Sequence, residues 1–261
     1  MDRPKEIQLS ERLQTIASHV ATGETVADIG TDHGYIPISL LSKGITSRVI
    51  LTDIHEGPLL KARGNFRKWL PEVEPDLRQG PGLSVLQPGE ADVLIIAGMG
   101  GILISRILDE HPDIVHSASR LVLQPRNHAF TLREYLRKMN RFLVSEEQIV
   151  LEVRHYCEII TLTRRDLASD EEIRMAKQTV ELETKMGLDQ RIYDEVPVMH
   201  VLTGNYRDYL DHKCRTEQQV IRRILEHGRT DYAESRRQRA ESRMNAFRTI
   251  RDWHERMADK K

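Results

Sequence analysis

The run Val26-Ala27-Asp28-Ile29-Gly30-Thr31-Asp32-His33-Gly34-Tyr35 opens apolar, passes an acid and closes on two glycines four residues apart. It predicts a buried strand, a tight turn and the start of a helix running from Tyr35 to Lys43. Glycines in such a turn let a bulky ligand approach the backbone at the positive end of a helix. The next apolar run, Arg48 to Ile54, carries Asp53 near its end, 25 residues after Asp28. An acid at the end of a second strand can hold ribose hydroxyls. Together these features point to a cofactor that contains a nucleoside.

Working outward, the pattern alternates. An amphipathic helix over Leu9–Val20 precedes the first strand, Thr25–Ile29. A helix over Pro58–Leu70 follows the second strand, with Pro58 in its first turn. Leu77–Gln79 is a short strand entering Gly80-Pro81-Gly82. Asp92–Ala97 is apolar throughout, as a central parallel strand should be, and Gly98-Met99-Gly100-Gly101 turns from it into a helix over Ile102–Glu110. Arg120–Leu123 is a fifth strand, followed by a helix over Thr131–Asn140. Phe142–Leu151 and His155–Thr163 are spaced to form a hairpin. Five β-α steps with a terminal hairpin predict an α/β, Rossmann-like, mostly parallel sheet with one antiparallel strand, the class I methyltransferase arrangement. A charged helix over Asp170–Met186 and a less regular stretch around Pro197 come next. Two long helices follow, joined near Gly228 and expected to pair as an antiparallel coiled-coil hairpin. Tyr206, Leu210, Lys213, Glu217, Val220 and Ile224 form one stripe. Ala233, Ala240, Met244, Phe247, Ile250 and Trp253 form the other. The expected domains are 1–166, binding the cofactor, and 167–261, helical.

Composition narrows the choice. Among 261 residues, 30% are charged and 5% aromatic, and no apolar run is long enough to span a membrane. The two cysteines, Cys157 and Cys214, read as free thiols of a reducing, cytoplasmic compartment. No His/Cys cluster has metal-ligand spacing. The net charge of −1 hides an asymmetry: residues 203–261 hold 15 Lys and Arg against 10 Asp and Glu. That basic end could meet a polyanion.

Several residues admit two readings. Asp32 either caps the following helix or faces the ligand. Tyr35 either packs or borders the reacting centre, and His33 reads as structural. The Gly98–Gly101 cluster is either a turn under a close helix or open space beside a ligand. The C-terminal arginines either solvate a coiled coil or contact RNA.

Three segments then carry a resemblance: Ala27-Asp28-Ile29-Gly30-Thr31-Asp32-His33-Gly34-Tyr35-Ile36-Pro37, Ile96-Ala97-Gly98-Met99-Gly100-Gly101, and Leu123-Gln124-Pro125. With Leu9-Ser10-Glu11-Arg12-Leu13-Gln14, Arg133-Glu134 and Cys157-Glu158, the chain resembles the bacterial tRNA adenine-22 N1-methyltransferases from about residue 9 to 164. The resemblance implies methyl transfer from S-adenosylmethionine to N1 of an adenine in tRNA; no metal and no membrane are expected from the sequence, and the protein is expected to be a monomer. Residues and resemblance together assign Arg12, Asp28, Gly30, Asp32, Asp53, Gly80, Gly98, Met99 and Gly100 to the cofactor. Tyr35, Gln124 and Asn127 are assigned to the target base. Arg126, Arg222, Arg223, Arg236 and Arg237 are assigned to RNA. Two departures stand out. Gln79-Gly80-Pro81-Gly82-Leu83 has proline where the family has an acid, and Arg126 interrupts the expected Gln-Pro-Asn. The rival readings are a methyltransferase of a small molecule or protein, a non-catalytic RNA-binding protein, and an NAD-dependent oxidoreductase. The last would need Gly-x-Gly-x-x-Gly, and Asp32 occupies its second glycine.

Overall fold

β1, Val26–Ile29, is buried along its whole length, and its alternating side chains decide how the layers form. Val26 belongs to one core cluster, Ala27 and Ile29 to the other. A strand buried on both faces needs helices on both sides, and the rest of the chain supplies them. The computed structural model describes residues 7–187, 195–196, 206–227 and 230–258. The expected stretch around Pro197 and the joint at Gly228 lie outside the described residues.

The sheet has the order β3-β2-β1-β4-β5-β7-β6. Its strands are β1, β2 (Val49–Asp53), β3 (Asp76–Gln79), β4 (Val93–Gly100), β5 (Arg120–Asn127), β6 (Phe142–Glu152) and β7 (His155–Arg164). β1 to β5 are mutually parallel; β7 runs antiparallel between β5 and β6. Helices α1 (Glu11–Ser18), α2 (Tyr35–Ser42) and α3 (Glu56–Trp69) supply Ile16, Ile36, Ile38, Leu40, Ala62 and Phe66 to one face, against Val26, Leu51, Val93 and Ile95. Helices α4 (Gly101–Glu110), α5 (Pro112–Ser117) and α6 (Ala129–Leu136) supply Ile104, Leu108, Ile114, Val115, Leu132 and Leu136 to the other, against Ile29, Leu94, Ile96 and Leu123. Each fully buried aliphatic or aromatic side chain contributes roughly 1.5–3 kcal/mol of transfer free energy.

Two local details depart from the expected pattern. α5 has only six residues, too few for periodicity to reveal it. β4 continues through Gly98 to Gly100, where a turn was expected. Its register against β5 slips between Ala97 and Met99, and again between Met99 and Gly100. Pairing with Pro125 and Asn127 carries the glycine-rich segment past the point where propensity would end it.

The chain divides into two compact units, Met1–Ala176 and Lys177–Lys261. In the second, α8 (Tyr206–His227) and α9 (Asp231–Ala258) run antiparallel: Arg207 meets Glu255, Asp211 meets Arg251, and Glu217 meets Arg243. Tyr209, Leu210, Cys214, Ala240, Phe247 and Ile250 are buried. The two charged interruptions of the stripe are accommodated. The Lys213 ammonium lies over the rings of Tyr209 (5.5 Å) and Phe247 (5.9 Å), and buried Glu217 accepts from Arg243 at 3.0 Å. α7, Asp170–Met186, coincides with the expected charged helix.

Candidate active site

The carboxyl ends of β1, β2, β4 and β5 meet around the point where the chain leaves β1 in one direction and enters β4 on its other side. Ligands of doubly wound sheets bind at such a point. After β1, the amides of Gly30 and Thr31 both donate to the Thr52 carbonyl, at 2.8 and 2.9 Å, which swings the chain across β2. Gly30 has φ +76°, and a Cβ there would lie 2.1 Å from the Met99 Cε. The left-handed backbone is what calls for glycine, since the Met99 methyl is the end of a flexible side chain. Gly34, also left-handed, is the N-cap of α2 and contributes no side-chain cap. Asp32 therefore does not cap the helix. It is exposed, with His33 at 3.1 Å and Lys61 at 3.8 Å.

Asp28 is buried, and Thr31 Oγ1 donates to its Oδ2 at 2.6 Å. Among the described residues no basic side chain forms an ion pair with it. Burial pushes its carboxyl up to about 6; the Thr31 hydrogen bond opposes the rise, and the charge of Asp53 adds to it. Asp53, half-buried at the end of β2, accepts from the His55 amide at 2.8 Å, and its carbonyl takes the Gly80 amide at 3.0 Å. Gly80 is required because a Cβ would strike Val85 at 2.3 Å. Pro81 stands in the turn that follows, its carbonyl accepting from Ser84 N at 3.1 Å.

On the other side, the slip in β4 leaves the Gly98 amide without a strand partner. The Gln124 side chain takes its place: Oε1 accepts from Gly98 N at 3.2 Å. A bulge residue satisfied by a side chain in this way is held in position. Gly98 has φ +76° and open space where a Cβ would stand. Gln124 is buried. It also accepts from Arg12 at 3.2 Å and donates to the Pro125 carbonyl at 3.0 Å. Its contribution is thus to shape the Gly98 wall. Arg12 in turn pairs with Glu152 at 2.8 Å, so the first helix is tied to the ends of β5 and β6. Ser10 and Arg12 hold the Glu152 carboxyl below the ordinary range.

Tyr35 opens α2, partly exposed and stacked on His33 with ring centroids 5.2 Å apart. Arg126 and Asn127 are exposed at the end of β5, with the Asn127 side chain against Gly100. Gly101 is glycine because a Cβ would meet the His128 carbonyl at 2.3 Å. The expected cofactor and base residues gather at the carboxyl end of the sheet, Asp32, Tyr35, Arg126 and Asn127 exposed among them. Arg222, Arg223, Arg236 and Arg237 belong to the other unit. Arg222 pairs with Glu226, and Arg237 with Glu234 and Glu241; Arg223 and Arg236 are exposed. Sequence reasoning missed Thr31 and Glu152. Thr31 sits three residues beyond Asp28 and was open to discovery as its hydrogen-bond donor. Glu152 meets Arg12 across 140 residues and left no local signal.

A nucleoside-binding edge on a 3-2-1-4-5-7-6 sheet defines a methyltransferase of the Rossmann-like class. In agreement, a family model described as methyltransferase domain matches residues 9–160. The chain is 39% identical over 168 residues to the tRNA (adenine(22)-N(1))-methyltransferase of Bacillus subtilis (strain 168), a match covering 63% of this chain and 70% of that one. Among solved structures, the B. subtilis m1A22 tRNA methyltransferase TrmK superposes with a TM-score of 0.76 at 28% identity, over 94% of this chain and 100% of that one. Streptococcus pneumoniae Sp1610, solved in complex with S-adenosyl-L-methionine, gives a TM-score of 0.66 at 26% identity, over 94% and 100%. The chain belongs to the methyltransferase-domain family and, within it, to the tRNA (adenine(22)-N(1))-methyltransferases.

Proposed function

We propose that the protein transfers a methyl group from S-adenosylmethionine to N1 of an adenine in tRNA, at position 22. The observation that carries this reading is Asp28: a buried carboxylate, its pKa raised by burial, with one hydroxyl donor and no ion pair among the described residues. A cationic ligand would relieve it, and S-adenosylmethionine carries an ammonium and a sulfonium. Asp53, beside it, suits the ribose hydroxyls, and the open space at Gly98 leaves room at the reacting end. When bound, the cofactor supplies an electrophilic methyl carbon.

The site offers no nucleophile-base pair, and none is needed. Adenine N1 already bears a lone pair, so the residues have only to place it and exclude water. Tyr35 offers a face for an extruded base. Gln124, Arg12 and Glu152 keep the Gly98 wall in place. Arg126 and the arginines of α8 and α9 are assigned to tRNA phosphates, and Asn127 to the base. Residues 1–166 form the cofactor-binding domain and 167–261 the helical domain in this reading. The protein acts as a cytoplasmic monomer. No described helix is long and apolar enough to cross a membrane, and no described His, Cys, Asp and Glu form a metal-binding group.

The test is incubation with methyl-labelled cofactor and an unmodified tRNA transcript, followed by nucleoside analysis. The expected product is 1-methyladenosine at one position. Label confined to a small molecule or to protein, or no transfer at all, would overturn the reading.

A further inference from the structure

The β6–β7 turn stands out from the rest of the catalytic unit. β6 and β7 pair down to Glu152 opposite His155, leaving Val153 and Arg154 as the turn. Val153 has φ +58° and is 89% exposed. A β-branched residue in the left-handed region is strained, and glycine or asparagine would serve the turn better. Nothing in the fold rewards the valine, since its side chain is almost wholly in solvent.

The turn is also held in place. Its preceding residue, Glu152, is gripped by Arg12, which reaches on to Gln124 at the end of β5. Ile160 is the first residue of β7 paired with β5, opposite Leu123. His155 therefore lies about 17 Å beyond that level, at roughly 3.3 Å per residue. The turn projects about that far past the ends of β1 and β2, and stands about level with Asn127 at the end of β5.

The charge there is positive. Arg154 is exposed, and so is Arg126 on the neighbouring strand. The nearby carboxylates, Glu152 and Glu158, are committed to Arg12 and Arg133. Phe130, 42% exposed, follows Arg126 at the start of α6.

We propose that the Val153–Arg154 turn is a second RNA contact, built into the catalytic unit, in which Arg154 takes a phosphate and Val153 is an apolar wedge against the stacked bases beside the target adenine. Apolar wedges of this kind help unstack a helix so that a base can leave it. The inference rests on the tRNA reading above and deepens it.

Two full-length variants test it, Arg154→Glu and Val153→Gly, measured for tRNA affinity across a salt series, for methylation of folded tRNA and for cofactor affinity. Arg154→Glu should weaken tRNA binding about tenfold and lower the slope of log K against log salt by about one, with cofactor affinity unchanged. Val153→Gly, which relaxes the turn, should melt no lower than the parent and still lose about tenfold in kcat/KM for tRNA. Both variants binding and methylating tRNA within twofold of the parent would overturn the proposal while leaving the tRNA reading intact. A parent protein that neither binds nor methylates tRNA would overturn both.

Discussion

Replacing Asp28 by Asn should make the ligand-free protein more stable while weakening its grip on the cofactor. Moving a carboxyl from its ordinary value near 3.8 to about 6 corresponds to about 3 kcal/mol of unfavourable ionisation in the folded state. The sign follows from burial. The protonated acid suits the folded protein, so its contribution is fully present below pH 3.8 and is lost as pH rises through 6. Asparagine keeps the shape and an acceptor for Thr31 without the charge. At pH 7.5 the variant should gain about 1–3 kcal/mol, or roughly 3–8 °C in melting temperature for a unit of this size. At pH 5 the difference should shrink, because the parent is then mostly protonated at this position. Cofactor affinity should fall 10- to 100-fold, the scale of a lost charge-assisted hydrogen bond. Paired melting curves at the two pH values, with calorimetry for the cofactor, decide the matter. A variant that melts below the parent at pH 7.5 without cofactor, or a difference that ignores pH, would refute the reasoning.

Gly30→Ala should cost about 1–3 kcal/mol, chiefly the strain of a left-handed alanine, with the Met99 methyl displaced. Gly44→Ala, with φ +65° but open space around it, should cost only about 1 kcal/mol in the same melts. Tyr35→Phe should methylate tRNA within about twofold of the parent, whereas Tyr35→Ala should lose about tenfold in kcat/KM if the ring carries the base. Arg133→Met removes the guanidinium that lies 2.7 Å from both Glu147 and Glu158. That should cost about 3–5 kcal/mol at neutral pH. Burial already pushes the Glu147 carboxyl up, so the loss should narrow toward pH 5 as the acid protonates, which denaturant midpoints at two pH values would show.

What could be read from the chain was what local chemistry determines. The apolar run at Val26, the glycines at 30 and 34 and the acid at 53 each follow from one short segment, and all lie at the expected sheet edge. The hairpin strands and the two long C-terminal helices were visible because their periodicity is sustained over ten residues or more. What stayed hidden depends on distant partners. Gly98 continues a strand because β5 pairs across the slip and Gln124 supplies the missing acceptor. Gln124 read as a base-facing amide, and its further contacts with Gly98, Arg12 and Pro125 left no local signal. Tyr209 and Cys214, both buried, fell outside the stripe drawn through α8, because the helix packs a broader face than one residue per turn.

The Glu217–Arg243 bridge between α8 and α9 has a consequence for how the arm can evolve. Apolar stripes tolerate sliding by a turn, since one leucine-sized contact resembles the next; Glu217–Arg243, set in register with Arg207–Glu255 and Asp211–Arg251, does not. With that lock in place, the outward-facing residues of the arm are free to drift while the stagger of its two rods stays constant. An insertion into one helix between two of these pairs would put the next pair out of register and strand a carboxylate in the seam.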